Sequence, residues 1–156
     1  IHVDVCAIPS HDRRPMMLRN PYGVDMGTSG LILQAQSREE ILADKIIALA
    51  FRPNRLKNRD LWDIAWLKQQ GVELPAELIP LKIADHRQTP AVFTSELQSR
   101  LAALKTDPAH RAAFVAEMQR FLPSRLADET VSREPYWTFL VNLLEEEVRP
   151  VLARIK

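Results

Sequence analysis

The hydrophobic pattern of the chain changes from strand-like to helical along its length. Apolar and polar residues alternate over residues 1–8, and residues 31–36 form a second candidate strand. The intervening residues 9–30 are rich in turn formers and predict a loop with room for one short strand. Beyond them, apolar residues recur at helical spacing. The pattern predicts an α+β fold, mostly α, with a sheet region over residues 1–36 and a helical region over 37–156.

The first predicted helix has a recognisable start and end. Ser37 and Glu40 have the spacing of a capping box. In this motif the serine hydroxyl accepts a hydrogen bond from a free N–H group of the first turn, and the glutamate carboxylate accepts one from the N–H of the serine. Pro53 cannot continue a helix, because it lacks the N–H group and its ring clashes with the preceding turn. A helix is therefore expected from Ser37 to about Arg52.

Similar signals divide the rest of the chain into helices. Asn58 is a candidate N-cap, and Gly71 is a candidate stop for the helix that follows it. Proline residues and caps predict four further helices, at about 75–86, 90–105, 107–122 and 134–155.

Composition excludes several classes of protein. The net charge is +1, so no global attraction to nucleic acid or membrane is expected. No apolar run reaches the roughly 20 residues that span a bilayer, and no signal peptide is visible. A lone cysteine, Cys6, excludes an internal disulfide. We therefore expect a cytoplasmic protein without a membrane partner. Because the strand pattern opens at Ile1 with nothing before it, we also expect the chain to be a fragment.

Common catalytic and cofactor motifs are absent. The four histidines and Cys6 do not have the spacing of a zinc site. The sequence has no P-loop, no dinucleotide fingerprint and no G-x-S-x-G elbow, and only four glycines are available to build a phosphate cradle.

Lys45 lies in an apolar stripe of the first predicted helix. On a helical wheel it shares that stripe with Arg52, and the flanking positions are Ile41, Leu42, Ala48 and Leu49. Burial of an unpaired ammonium is costly, so the Lys45 ammonium must either pair with an anion or reach solvent. One interpretation is that it snorkels or meets a structural carboxylate. The other is that it faces an anion such as a nucleotide phosphate.

Two aspartates open the helix after Asn58. Asp60 and Asp63 lie one turn apart and share a face. Acidic residues in a first turn favour the helix dipole, and Asp63 can also pair with Arg59. Because apolar residues surround them nearly all the way round, we expect both aspartates to meet partners, and Lys45 is the first candidate.

A basic loop joins these two helices. Such a run of charge is most often a solvated face, but it also suits a phosphate backbone. No aromatic residue is interleaved, so a base-stacking platform is not indicated. Its members are Arg52, Arg55, Lys57 and Arg59.

These residues resemble the signature of the AbiEii/AbiGii nucleotidyltransferase toxins. That family carries E-x-x-x-x-K-x-x-A-L, then an arginine, then R-D-x-x-D-L, and this chain has Glu40 to Leu49, Arg52 and Arg59 to Ile64 at those positions. The likeness is close over residues 37–67 and looser on either side.

The resemblance implies a polymerase-beta-like nucleotidyltransferase fold, of which the strands are the residual sheet. Such proteins bind a nucleoside triphosphate and Mg²⁺ and transfer a nucleotide to an acceptor. Relatives act on the acceptor end of transfer RNA, which makes tRNA a candidate acceptor. Toxins of this type belong to two-gene systems, so a cognate antitoxin is an expected partner.

The resemblance also assigns roles to particular residues. Lys45 matches the essential lysine that contacts the triphosphate. Asp60 and Asp63 both fit the R-D-x-x-D pattern, so either is the essential late aspartate. Arg52 and Arg59 match the basic positions and are expected to bind nucleotide.

The principal metal ligands of this fold are expected elsewhere. They form a D-x-D pair after a Gly-Ser turn, and no such pair follows the turn at residues 27–30. Asp4 on the first strand is a candidate third carboxylate for the metal, although alternation also allows it to face solvent. We therefore expect the fragment alone to be inactive.

A second interpretation, in which the protein is not an enzyme, stays open. A degenerate nucleotidyltransferase would be a non-catalytic helical module that binds a partner protein or RNA. In that case Lys45 and Asp60 form a structural ion pair, and the basic loop at residues 52–59 makes the contacts.

Overall fold

Two strands and seven helices form the described part of the chain, which in this computed structural model comprises residues 7–19, 23–24, 27–28, 30–53 and 56–155. The elements are β1 (Arg13–Met17), β2 (Ile32–Gln36), α1 (Arg38–Phe51), α2 (Asn58–Gln69), α3 (Leu78–Asp85), α4 (Pro90–Thr106), α5 (Pro108–Met118), α6 (Ser124–Glu129) and α7 (Glu134–Arg154). The α+β, mostly α fold class is confirmed. The division at residue 37 into two regions stays a prediction.

The strands form an antiparallel hairpin. Arg13 pairs with Gln36 at its open end, and Met17 pairs with Ile32 near the loop. Strand β2 confirms the second candidate strand, and β1 is the short strand for which the loop had room. Most hairpin side chains are exposed, so the hairpin contributes little to the core.

The predicted first strand falls largely outside the described residues. Residues 1–6, which include Asp4, are not among them. Ala7 and Ile8, which are described, do not belong to a strand. The strand therefore stays a prediction over most of its length.

Helix α1 begins as the capping box predicts, but with one difference. The Ser37 hydroxyl accepts a hydrogen bond from the Glu40 N–H at 3.0 Å. The expected return bond from Glu40 to the Ser37 N–H is wrong, because that N–H donates to the carbonyl of Asp12. The Glu40 carboxylate is fully buried and takes its donors from the segment before β1 instead.

Helix α2 starts at Asn58 rather than after it. The N-cap is Lys57, which makes no side-chain cap bond, so the prediction of Asn58 as N-cap is wrong. The Asn58 amide instead donates to Glu117 on α5 at 3.0 Å. Gly71 follows the helix with a φ of +74°, a conformation that suits glycine, as predicted for the stop.

Helix α5 ends earlier than predicted. It stops at Met118 rather than Leu122, because the N–H groups of Arg120 and Phe121 bond to carbonyls three residues back and tighten the last turn. The short helix α6 follows and was not predicted, since six residues are too few to display a helical period.

Helix α1 lies at the centre of the core. It packs against α2, α3 and α4, while α7 packs against α2 and α4. Its fully buried side chains include Leu42, Ile46 and Ile47. Lys45 lies at the margin of this face, beside α2. None of the helices in the described residues is both long and apolar enough to cross a membrane.

Candidate functional site

Lys45 meets both aspartates of α2. Its Nζ lies 2.7 Å from Oδ1 of Asp60 and 2.6 Å from Oδ2 of Asp63. The packing of α1 against α2 brings these side chains together, although they are 15 and 18 residues apart in sequence. The predicted pairing of Lys45 with the aspartates is therefore what the structure contains.

The environment keeps Lys45 charged. Burial alone would lower its pKa, but hydrogen bonds to Asp60 and Asp63 and their negative charges outweigh that effect. The pKa of Lys45 is therefore raised above its ordinary value, and the ammonium persists at neutral pH.

Arg52 joins the same cluster from the end of α1. Its Nη2 lies 2.9 Å from Oδ2 of Asp60, so the two oxygens of Asp60 contact two different cations. The carbonyl of Arg52 accepts a hydrogen bond from Nη2 of Arg100 on α4 at 3.0 Å, which fixes the backbone there. Lys45, Arg52 and Asp60 thus form one connected group.

Arg59 lies apart from this group. Its Nε is 3.3 Å from Oε1 of Glu117, and its guanidinium lies 4.7 Å from the ring centre of Phe121. Of the two partners considered for Asp63, the structure contains Lys45 and not Arg59, because Arg59 makes these two contacts instead. Arg55 lies outside the described residues.

A cleft of about 500 Å³ opens beside the cluster, between the hairpin and helices α1 to α3. Binding pockets for small ligands in proteins span roughly 300–1,000 Å³. The charged side chains that line it are Arg13, Lys45, Arg52 and Lys82, with Asp44 and Asp60 as the carboxylates. Asp63 and Arg59 do not line it.

A second ion-pair network lies beside the cleft and lines it with Lys82 and Asp44. Lys82 of α3 is 1% exposed, and its Nζ contacts a carboxylate oxygen of Glu40 and lies 2.9 Å from Oδ1 of Asp44. Burial alone would lower the pKa of Lys82, but the hydrogen bonds and charges of these carboxylates raise it.

Glu40 is the most heavily bonded carboxylate of this network. It accepts hydrogen bonds from the Ser10 hydroxyl at 2.6 Å and from the N–H groups of His11 and Asp12 at 2.7 and 2.8 Å. Burial alone would raise its pKa, but these donors and Lys82 hold the pKa far below its usual range. Glu40 therefore stays ionised inside the protein.

Sequence reasoning missed Lys82, although a signal was present. Lys82 stands beside Ile83 and one turn from Ile79, so it is a lysine on an apolar helix face, as Lys45 is. An unpaired ammonium is as costly to bury at Lys82 as at Lys45, so a partner could have been expected. Glu40 was interpreted as a capping residue and as the first residue of the family motif, and neither interpretation predicted its contact with Lys82.

A comparison with protein-family models decides the family. The model described as "Nucleotidyl transferase AbiEii toxin, Type IV TA system" matches residues 1–142 of the chain. The chain belongs to the AbiEii family. No curated protein and no solved structure matches it significantly. The AbiEii match covers the whole cleft and confirms the resemblance seen in residues 37–67.

The metal of AbiEii chemistry does not fit the described residues. Nucleotidyltransferases generally use a nucleoside triphosphate and a divalent metal. The described residues contain no group of three histidine, cysteine, aspartate or glutamate side chains arranged to hold a metal ion. Both cleft carboxylates, Asp44 and Asp60, are instead in contact with cations. The donors of this AbiEii cleft suit an anion rather than a cation.

A second pocket in the AbiEii chain is not a candidate for the functional site. It measures about 720 Å³ and lies among α4, α5 and α7. Its Arg111 is paired with Glu134. None of the residues that match the AbiEii signature lines it.

Proposed function

We propose that the cleft binds the triphosphate of a nucleoside triphosphate in a nucleotidyltransferase toxin, with Lys45 and Arg52 as phosphate ligands. The observation that carries this proposal is the convergence of both cations on Asp60 at the wall of a ligand-sized cleft. Family membership supports a nucleotidyl transferase of a toxin–antitoxin system. Nucleotide transfer to an acceptor, with tRNA as the candidate, is part of the proposal.

Donors remain for a phosphate after the ion pairs form. An ammonium has three N–H donors, and the aspartates take two from Lys45. A guanidinium has five, and Arg52 uses one nitrogen toward Asp60. A phosphate in the cleft would therefore receive charge-assisted hydrogen bonds without breaking the cluster.

The two aspartates have different roles in this proposal. Asp60, whose side chain is 10% exposed, contacts both cations and positions them. Asp63, at 43% exposed, contacts only Lys45 among the described residues and is the better placed to assist an acceptor. Asp60 is therefore a positioning residue.

Such positioned charge suits phosphoryl-type chemistry. Negative charge accumulates on the transferred group in the transition state, and fixed cations stabilise it without reorganisation. The Mg²⁺ of this proposal would have to be held by carboxylates outside the described residues, where it would supply further charge stabilisation. Asp4 stays a candidate metal ligand outside the described residues. A cognate antitoxin follows from the family.

The same contacts also favour a second candidate, the non-catalytic helical module. Lys45 and Arg52 are balanced by Asp60 and Asp63, so this cluster carries no net charge. A structural ion pair has this arrangement. In that case the cleft has no substrate, and binding of RNA or protein depends on residues 52–59.

Transfer of labelled nucleotide from each ribonucleoside triphosphate to RNA, by the full-length protein, separates the two candidates. Lys45→Met is the informative variant, because an ion pair replaced by an apolar group of similar size often leaves stability intact. We expect it to lower transfer by about 100-fold, the scale of losing one transition-state donor.

Lys68→Met is the matched control. Lys68 is also a poorly exposed lysine of an ion pair, 3.0 Å from Glu147, but it does not line the cleft. We expect this variant to transfer normally. Undiminished transfer by folded Lys45→Met protein would refute the role of Lys45. No transfer by the wild type from any of the four triphosphates would favour the helical module.

A further inference from the structure

We propose that Arg13 is a phosphate-contacting residue of the same cleft and that the Glu40–Lys82–Asp44 network is its support. The proposal rests on the proposed function, since it adds a third cation to that anion site. It starts from the charges of the cleft and from the way the hairpin is attached to the helices.

Arg13 is the uncompensated cation of the cleft. Within the described residues its side chain has no ion pair or hydrogen bond, whereas Lys45, Arg52 and Lys82 each contact a carboxylate. Arg13 is exposed and lines the cleft from the hairpin side. All its guanidinium donors are therefore available to a ligand, in a fork geometry that matches phosphate oxygens.

The two ion-pair networks beside the cleft do not leave a cation in excess. The cluster of Lys45 and Arg52 is balanced by its two aspartates. Lys82 faces two carboxylates, so this network as a whole has a net negative charge, although Glu40 does not itself line the cleft. A triphosphate that enters this space needs a further positive group, and Arg13 supplies it.

The neighbouring Arg14 shows that the orientation of Arg13 is specific. Side chains alternate along a strand, so consecutive residues point to opposite faces. Arg14 is paired with Asp12 at 2.9 Å and with Glu39 at 3.4 Å, and it does not line the cleft. Only one of these two adjacent arginines faces the proposed ligand.

The segment before β1 is held by Glu40. This buried carboxylate accepts hydrogen bonds from Ser10, His11 and Asp12, the three residues that lead into Arg13. It is anchored in α1, the same helix that carries Lys45. Glu40 therefore fixes the start of β1 relative to the opposite wall of the cleft.

The partner strand is held through Asp44. Gln36, which pairs with Arg13 across the hairpin, donates its amide to Oδ2 of Asp44 at 2.6 Å. The other oxygen of Asp44 contacts Lys82, which also contacts Glu40. One buried ammonium thus connects the attachments of both strands at the position of Arg13.

Binding of inorganic tripolyphosphate to the full-length protein, measured by calorimetry, tests the role of Arg13. We expect Arg13→Ala to weaken binding by about 10-fold, the scale of one charge-assisted hydrogen bond. Arg14→Ala, the matched control on the other face, is expected to bind within about twofold of the wild type.

The outcomes separate this proposal from the proposed function. If Lys45→Met weakens binding but Arg13→Ala does not, the role of Arg13 is refuted and the anion site stands. If the wild type does not bind tripolyphosphate, or if Lys45→Met binds it normally, the proposed function fails and this inference fails with it.

A double-mutant cycle tests the positioning role of Glu40. We expect Glu40→Gln to weaken tripolyphosphate binding several-fold in the wild type and to have little further effect in the Arg13→Ala background. Equal effects in both backgrounds would overturn that role. Ser10→Ala, which removes only one of the bonds to Glu40, provides the same cycle if Glu40→Gln does not fold.

Discussion

At the scale of single residues, two lysines on apolar helix faces differ in how their ammonium groups are compensated. Lys45 and Lys82 both lie on apolar helix faces, and each contacts two carboxylates. Lys82 is almost fully enclosed and has three contacts, including the carbonyl of Pro9 at 3.4 Å. Lys45 keeps one donor and some exposure toward the cleft. Similar sequence signals thus lead to a structural lysine and to a candidate ligand-binding one.

Glu40 makes stability depend on pH. Its pKa is lowered in the folded protein, so its contribution is present above the ordinary value of 4.5 and is lost as pH falls toward the folded pKa. We expect the free energy of unfolding to decrease as pH falls below about 4.5, and less steeply in Glu40→Gln. Urea unfolding at a series of pH values measures this.

Glu129→Gln is the control for that series. Glu129 is an exposed glutamate that pairs with Arg125 on the same helix, and exposed pairs contribute little. Its variant should keep the wild-type slope. A Glu40→Gln protein with the wild-type slope as well would show that the Glu40 hydrogen bonds do not stabilise the fold.

At the scale of elements, α2 presents its first-turn side chains to two different neighbours. Asp60 points toward α1 and contacts Lys45 and Arg52, whereas Arg59 points toward α5 and contacts Glu117. The family pattern places both arginines at basic positions, but their surroundings differ. Packing therefore directs Arg59 and Asp60, which are adjacent in the family motif, toward different helices.

Arg52 and Arg59 should differ accordingly. We expect Arg52→Ala to weaken binding of nucleoside triphosphate by about 10-fold, because it removes a cleft cation. We expect Arg59→Ala to bind within about twofold of the wild type, with a loss of stability of up to about 1 kcal/mol from the exposed pair with Glu117. Equilibrium binding and urea unfolding measure the two effects.

The opposite result would place the ligand elsewhere. If Arg59→Ala abolishes binding while Arg52→Ala does not, the ligand lies on the α5 side of α2. The prediction of Arg59 as a nucleotide-binding residue would then be supported, and the cleft assignment would be wrong.

Local signals predicted most of the helices. The Ser37 cap, the proline at the start of α4 and the glycine after α2 each act within one turn, so they can be identified without tertiary contacts. The predicted cap at Asn58 was wrong because the Asn58 side-chain amide donates to Glu117 of another helix. The predicted end of α5 was wrong for a different reason: the hydrogen bonds that close its last turn are backbone bonds, which no single residue type signals.

At the scale of the whole molecule, the cleft depends on contacts that local patterns do not contain. Glu40 and Lys82 are 42 positions apart, and Ser10 is 30 positions from Glu40. The pairing of Lys45 with Asp60 was predictable, because one predicted helix carried a lysine and the next carried two aspartates among apolar residues. The attachment of the hairpin was not, since two of its four hydrogen-bond donors in the described residues are backbone N–H groups of a loop, which carry no sequence signal.

The attachment of the hairpin also has a consequence for the site. One wall of the cleft is a core helix, and the other is a mostly exposed hairpin held by polar contacts. The geometry of the cleft therefore depends on a few hydrogen bonds and ion pairs rather than on hydrophobic packing. This is why Glu40 and Asp44 matter to a site in which they are not proposed to touch the ligand.

The measurement that tests the central claim most directly is equilibrium binding of the four ribonucleoside triphosphates to the full-length protein, its Lys45→Met variant and its Lys68→Met variant. We expect at least one triphosphate to bind the wild type and Lys68→Met alike, and to bind Lys45→Met about 10-fold more weakly or worse. Equal binding by all three proteins, or no binding by the wild type, would contradict the central claim.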